Sequence, residues 1–260
     1  MKFHRIYGMF LRYTFLMRRN FDRITDAFYW PTLDLLIWGL TSLYIQELAQ
    51  NGLLIKMVLT CLICWYIVYR IQGDITINLL EEYWNHNLVN IFVSPLTFSE
   101  WMAAMILNGF LKTIVTFVYA GALAFLLYHV GIFSLGWYLL PYAFLLVLTG
   151  WAFGFFIAGL ILRYGLKIQT IAWTLVYVIF PFSAVFYPVS VLPEWIHPLV
   201  KFIPSSYVFE GLRQAISTQT FNLAGFYTSL VLNILYLAAI IVFLRFSFHK
   251  ALNRGLISVR

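Results

Sequence analysis

Six stretches of the chain are apolar over about 20 residues, the length that an α-helix needs to cross a bilayer. The predicted spans are residues 28–45, 53–69, 101–128, 135–162, 168–187 and 226–246. The third and fourth spans exceed about 25 residues and should tilt or project beyond the bilayer. Pro181 interrupts the fifth. The pattern predicts an all-α integral membrane fold with six transmembrane helices.

Composition supports this prediction and excludes a soluble enzyme. Apolar residues make up 62% of the chain and charged residues 10%, whereas soluble domains hold about 45–50% and about 25%. Aromatic residues reach 20%, which suits a chain in contact with lipid and with the membrane interface.

The 17 Lys and Arg residues predict the orientation, because cytoplasmic loops carry an excess of them. If the N-terminus is inside, thirteen are cytoplasmic, only Lys56, Lys201 and Arg213 face out, and Lys112 lies within a span. We therefore expect both termini in the cytoplasm. The net charge of +7 is then a topology signal, and we expect no nucleic-acid partner.

The first two spans show neither a targeting signal nor a reactive cysteine pair. The first apolar run is too long for a signal peptide and no small-residue cleavage site follows it, so we expect no cleavable leader. Cys61 and Cys64 form a C-x-x-C inside an apolar span. Without a partner His or a second pair, they predict packing rather than redox or metal chemistry.

Residues 1–25 form an arm that precedes the first span. Apolar residues recur there at helical spacing, and Arg5, Arg12 and Arg19 recur every seven residues. A helix with an aromatic face and a cationic face is typical of the membrane interface, with its cations toward anionic lipid head groups. The alternative is a seventh, tilted continuation of the first span, which the charges of residues 18–26 make costly.

The loop between the second and third spans is locally acidic. Within it, residues 82–93 place Trp84, Leu88, Ile91 and Phe92 at helical spacing, and Ser94-Pro95 ends the pattern. A short amphipathic helix in this loop predicts docking into a groove on a soluble partner. An interfacial helix without a partner explains the same pattern.

Half of the prolines fall between the fifth and sixth spans, at positions 188, 193, 198 and 204. The residues between them are too apolar for a solvated loop. We predict an outer hairpin over residues 188–213, a pair of short helices folded back into the outer leaflet. Glu210 and Arg213 stand one helical turn apart and are predicted to form a structural ion pair.

Polar and small residues inside the spans suggest further contacts. Asp34 and Lys112 lie within the first and third spans, where charges are costly and often functional. One hypothesis is that they pair; structural roles at the membrane interface are the alternative. Gly150 and Gly154 form a G-x-x-x-G that predicts close helix packing, within one subunit or across a dimer.

Three sequence runs resemble the type-2 permease family of ABC exporters. Val93-Ser94-Pro95-Leu96 followed by Glu100 is similar to the exit of that family's coupling helix. The preceding Gly-Thr-Leu-Glu of the family reads His86-Asn87-Leu88-Val89 here. Residues 182–195 and 203–213 are longer and more specific matches. With six spans, the arm and both termini inside, the resemblance covers essentially the whole chain.

The resemblance implies the roles of two sets of residues. Residues of the coupling helix would contact an ATPase subunit: Glu82, Trp84, Asn85, His86, Asn87, Leu88, Ile91, Phe92, Ser94 and Pro95. Residues of the hairpin would form an outer gate: Tyr187, Pro188, Pro193, Glu194, Trp195, Glu210 and Arg213. The first, second and fifth spans would complete the pathway.

The resemblance also implies a half-transporter in the plasma membrane, with two copies of this chain and two ATPase subunits. No phosphate-binding G-x-x-x-x-G-K-[ST] motif occurs in the chain, so we expect ATP and Mg²⁺ on the separate ATPase and no cofactor here. Membrane lipids are the other expected partner. The exported substrate stays open among drugs, lipids, polysaccharides and lipid-linked glycans.

Two other classes of function fit the sequence less well than the permease. An ion-coupled secondary transporter or channel would want several intramembrane ionisable residues and often an inverted repeat, whereas the chain offers two such residues and no convincing repeat. A membrane-embedded lipid enzyme would need His, Asp or Glu clustered at one face. The five His residues are instead scattered over both predicted faces.

Overall fold

The chain folds into helices joined by short turns. The computed structural model describes residues 1–49 and 52–253, and those ranges contain no β-strand. Their α-helices, in chain order, are α1 (Phe3–Arg19), α2 (Phe21–Ala49), α3 (Leu54–Trp84), α4 (Leu88–Val93), α5 (Phe98–Tyr128), α6 (Leu139–Tyr164), α7 (Gln169–Ile179), α8 (His197–Val200), α9 (Pro204–Thr218) and α10 (Leu223–Asn253). Five 3₁₀ turns lie between them, at Ile132–Tyr138, Gly165–Ile168, Pro181–Ser183, Val189–Val191 and Glu194–Ile196.

Helix α3 lies at the centre of the bundle. Every side chain from Leu59 to Val68 is buried, which is expected of a helix that is hydrophobic all around. The helix packs against α2, α5, α6, α7 and α9. Residues at both ends of α3 are therefore held by one central helix.

Helices α5 and α10 lie at the periphery and keep an apolar face exposed. The exposed side chains on these two helices include Leu107, Phe110, Leu111, Ile114, Val118, Tyr227, Val231, Ile234, Leu235, Val242 and Phe246. Exposed apolar surface of this extent is unusual in a soluble monomer. It is the surface that lipid would cover.

Four stretches of the described chain are long and apolar enough to cross a membrane: Leu54–Trp84, Phe98–Tyr128, Ile132–Ser183 and Leu223–Leu252. The third of these contains both α6 and α7. Helix α2 contains the first predicted span, residues 28–45. It carries Asp34 between Tyr and Trp residues and is less apolar than these four stretches. The protein is thus a multi-pass helical membrane protein, and the number of six spans stays a prediction.

Pro181 interrupts the fifth predicted span, residues 168–187, as the sequence indicated. Helix α7 ends at Ile179, and a 3₁₀ turn begins at Pro181. Proline has no N–H to continue the α-helical hydrogen bonds. At about 1.5 Å per residue the 11 residues of α7 span about 16 Å, which is about half the thickness of a bilayer core.

The predicted arm is a helix of its own but is shorter than residues 1–25. Helix α1 ends at Arg19, Asn20 is extended, and α2 begins at Phe21. Helix α1 buries Ile6 and Tyr13 against the bundle and packs on α5 and α2. Because Asn20 interrupts the helix, the arm is not a continuation of the first span.

The glycines of α6 allow it to approach α3 closely, as their spacing predicted. A methyl group at Gly150 would lie 2.9 Å from Cβ of Ile71, and one at Gly154 would lie 2.7 Å from Cδ1 of Ile75. The G-x-x-x-G motif therefore serves packing within one subunit.

Substituting Gly150→Leu should lower the free energy of unfolding by about 3 kcal/mol, because the added atoms cannot fit beside the branched Cβ of Ile71. Gly73→Ala on α3 is the matched control, since a Cβ there meets nothing within 4 Å. Denaturant titration of the purified chain in mild detergent measures both changes. Equal stability of Gly150→Leu and wild type would contradict the close contact.

Candidate functional site

The coupling segment, residues 82–95, combines the end of α3, a turn and α4. Helix α3 continues to Trp84, and α4 begins only at Leu88. Between them His86 has a φ of 51°, a left-handed conformation that ends an α-helix. The prediction of one helix over residues 82–93 is therefore wrong.

The apolar side of α4 faces the chain's own core. Leu88 and Ile91 are 4% and 6% exposed and belong to the main hydrophobic core. The side chain of Phe92 lies outside the described residues. Of the predicted docking face of Trp84, Leu88, Ile91 and Phe92, Leu88 and Ile91 therefore anchor the segment in the core and do not face a partner.

A different set of side chains on the segment is exposed. Trp84 is 42% exposed and Val93 is 81% exposed. Between and beside them the exposed residues of the segment are Asn85, His86, Asn90, Ser94 and Pro95, while Asn87 is half-buried. Trp84 also donates from Nε1 to Oε1 of Gln169 at 3.4 Å, which joins it to the start of α7.

The carboxylate of Glu82 holds the segment against the arm. It is 1% exposed and pairs with Arg12 at 2.9 Å. It also accepts hydrogen bonds from the Tyr13 hydroxyl at 3.0 Å and from Nδ2 of Asn87 at 2.7 Å. One buried charge thus joins α1, α3 and the turn that follows α3.

Tyr13 extends this contact to α5. It is fully buried, and its hydroxyl accepts a hydrogen bond from Nε1 of Trp101 at 2.7 Å. Burial, with the neighbouring Glu82 carboxylate, raises the pKa of Tyr13 above its ordinary value. Tyr13 is therefore protonated and donates to Glu82.

The exit of the coupling segment is fixed by a capping box at the start of α5. The Thr97 hydroxyl accepts from the Glu100 N–H, and the Thr97 N–H donates to Glu100 Oε2 at 3.0 Å. The Lys2 N–H donates to Glu100 Oε1 at 2.6 Å, and Arg5 donates to the Pro95 carbonyl. The arm therefore contacts both ends of the segment.

Further ion pairs bind α3 to its neighbours. Arg23 pairs with Glu81, and Arg70 with Asp26 at 2.5 Å. Deeper in the bundle, the Nζ of Lys112 lies 2.8 Å from Oδ1 of Asp74, and both residues are buried.

The hypothesis that Asp34 and Lys112 pair is wrong. Lys112 has Asp74 as its partner. Asp34 instead accepts a hydrogen bond from the Tyr66 hydroxyl at 2.6 Å, within a cavity whose walls are aromatic.

In the predicted outer hairpin, the predicted pair of Glu210 and Arg213 is present at 3.1 Å. Arg213 also donates to the carbonyls of Ala184 at 2.7 Å and Val185 at 3.2 Å. Glu210 accepts from the Val189 N–H at 2.7 Å. The pair therefore ties α9 to the irregular chain before it, in a structural role.

The remaining residues predicted for the gate lie on that irregular chain. The Tyr187 hydroxyl donates to the Pro181 carbonyl at 2.8 Å. Pro188 and Pro193 each precede a 3₁₀ turn. Glu194 and Trp195 are exposed, the latter by 72%.

Sequence reasoning missed Tyr13, Asp26 and Asp74. In the sequence Tyr13 stands among the other aromatic residues of the arm, but its burial and its hydrogen bond to Glu82 make it a central contact. A search for acids within reach of the basic residues on neighbouring helices would have suggested Asp74 for Lys112. Cys61 and Cys64 are free thiols buried in α3.

Comparison with known families adds an independent observation. A family model described as an ABC-2 family transporter protein matches residues 44–246, which is most of the chain. The matched range includes the coupling segment and the predicted outer hairpin. No curated protein matches the chain as a relative.

Substituting Glu82→Gln should release the arm, because Arg12 and Tyr13 lose their shared charged acceptor. We expect a loss of about 1–3 kcal/mol in the free energy of unfolding and faster amide hydrogen exchange in residues 3–19, measured by mass spectrometry. Glu47→Gln removes an exposed carboxylate from α2 and is the control. Unchanged exchange in α1 would show that Glu82 does not hold the arm.

Proposed function

The chain belongs to the ABC-2 family of transporter proteins, and on that premise we propose that it is the permease subunit of an ATP-driven exporter. As a member of this family it is a membrane transport subunit and not itself the catalytic one. The export direction, the partner ATPase and the substrate are the proposed parts. Among the observations, the exposed coupling segment on a rigid, charge-paired base supports the proposal most directly.

The coupling segment is proposed to receive the ATPase. Trp84 and Val93 are large apolar side chains left exposed beside polar residues, and exposed aromatic residues are typical anchors of protein interfaces. Because the segment is held by Glu82 and Glu100, a push on it would move α3, α5 and the arm together. ATP and Mg²⁺ would bind to the ATPase, and this chain would need no cofactor.

The proposed assembly is two copies of this chain with two ATPase subunits in the plasma membrane, in contact with membrane lipids. The clustering of Lys and Arg near the termini supports a cytoplasmic location for both ends. The coupling segment would then face the cytoplasm, since it contacts the arm through Glu82 and Arg12.

The proposed pathway lies along α2, α3 and α7, with the hairpin of residues 188–213 as its outer gate. Glu210 and Arg213 give the gate a fixed point on α9. ATP-dependent closure of the ATPases would open this path by alternating access or by a transient opening at the dimer interface. The proposed substrate is hydrophobic, amphipathic or a glycan.

Affinity purification of the tagged chain from its own cells tests the assignment. An ATPase with a G-x-x-x-x-G-K-[ST] loop should be recovered with it, and Trp84→Ala or Val93→Asp should reduce that recovery about tenfold. Trp137→Ala is the control, because Trp137 is 85% exposed and lies in the turn before α6, outside the coupling segment.

The variants are compared at equal recovery of folded chain, judged by gel filtration in detergent. Absence of any ATPase from the wild-type sample, or equal ATPase recovery with wild type, Trp84→Ala and Val93→Asp, would contradict the proposal.

A further inference from the structure

A cavity of about 190 Å³ lies between α2, α3 and α7. All of its lining residues except Asp34 and Leu62 are aromatic. Trp65 is almost fully buried, whereas Trp30 and Tyr177 are 48% and 58% exposed. The cavity therefore has a closed inner wall and an open side between α2 and α7.

Asp34 is the ionisable acid of this cavity, and it has no cationic partner among the described residues. Its Oδ2 accepts only the Tyr66 hydroxyl, at 2.6 Å. The guanidinium of Arg70 lies 5.8 Å from the centre of the Tyr69 ring, but it is paired with Asp26.

The other acids of the described chain fall into two groups. Six pair with an Arg or Lys: Asp26, Asp74, Glu81, Glu82, Glu100 and Glu210. Three are exposed to the surroundings: Asp22, Glu47 and Glu194. Asp34 belongs to neither group, because it is half-buried within a predicted span and carries no neutralising charge.

Two physical effects favour a cation in this position. A carboxylate inside a membrane protein is costly unless a positive charge neutralises it. The faces of Trp and Tyr attract cations, and quaternary ammonium groups are bound by aromatic cages elsewhere. A neutral sugar could stack on the same rings but would leave the charge of Asp34 unbalanced.

We propose that this cavity binds an organic cation, a tertiary or quaternary ammonium group, with Asp34 as its counter-ion. The volume is below the range of about 300–1,000 Å³ found for drug-sized ligands, so the cavity holds the ammonium head and the rest of the molecule leaves through the open side. The inference rests on the proposed function in one respect, since it names the substrate class of the permease.

Binding of radiolabelled tetraethylammonium to the purified chain, reconstituted in nanodiscs of phosphatidylglycerol, tests this. Wild type should bind it saturably, and Asp34→Asn should bind about tenfold more weakly. Unlabelled choline should compete, whereas its neutral isostere 3,3-dimethylbutan-1-ol should not. Glu47→Gln, which removes a carboxylate from the same helix outside the cavity, should bind as wild type does.

A second variant, Tyr66→Phe, tests the proposal even if Asp34→Asn fails to fold. Tyr66→Phe retains the ring and removes the hydrogen bond that orients Asp34, so it should weaken binding without abolishing it. Both variants are compared with wild type by gel filtration before binding is measured.

The source of the ammonium group is decided by exchanging the lipid. If phosphatidylcholine in the nanodisc displaces tetraethylammonium, the bound group is a lipid head group; if only soluble cations displace it, the ligand is a free cation.

Four results would overturn the proposal: no saturable binding, full affinity in Asp34→Asn, equal competition by the neutral isostere, or displacement by maltopentaose. The assay contains no ATPase, so its failure is distinguishable from failure of the proposed export function.

Discussion

The buried carboxylate of Glu82 is the contact on which the arrangement of the arm and the coupling segment depends. A charge with 1% exposure is tolerated only when ion pairs and hydrogen bonds replace the water it has lost. Glu82 obtains these from Arg12 and Tyr13 of α1 and from Asn87 of the turn. The same requirement therefore fixes where the arm lies and keeps the coupling segment in place.

The other buried acids of the bundle have the same need for ion pairs and hydrogen bonds. Asp74 is buried with Lys112, and Glu210 is paired with Arg213 and the Val189 N–H, so each has a structural explanation. Asp34 is half-buried and has no cationic partner among the described residues. The proposed organic cation would be its counter-ion. The paired acids therefore hold the fold, whereas Asp34 is the acid proposed to meet a ligand.

Helix α3 connects these features. It carries Tyr66 of the cavity and Glu82 of the coupling segment on one uninterrupted helix, about 24 Å apart at about 1.5 Å per residue. Because a packed helix moves as a rigid element, a displacement at the coupling segment would change the walls of the cavity. Under the proposed function, this is how ATP hydrolysis on a partner would reach a bound substrate.

The sequence by itself determined the helical membrane class, the separate arm, the Glu210–Arg213 pair and the close packing at Gly150. These follow from apolar run length and from spacing within one helix, which are local properties. The tertiary structure decided which charges meet, such as Lys112 with Asp74 rather than Asp34, and which face of α4 is buried. Contacts between helices depend on how each helix is rotated and shifted against the next, and a single sequence pattern does not encode that geometry.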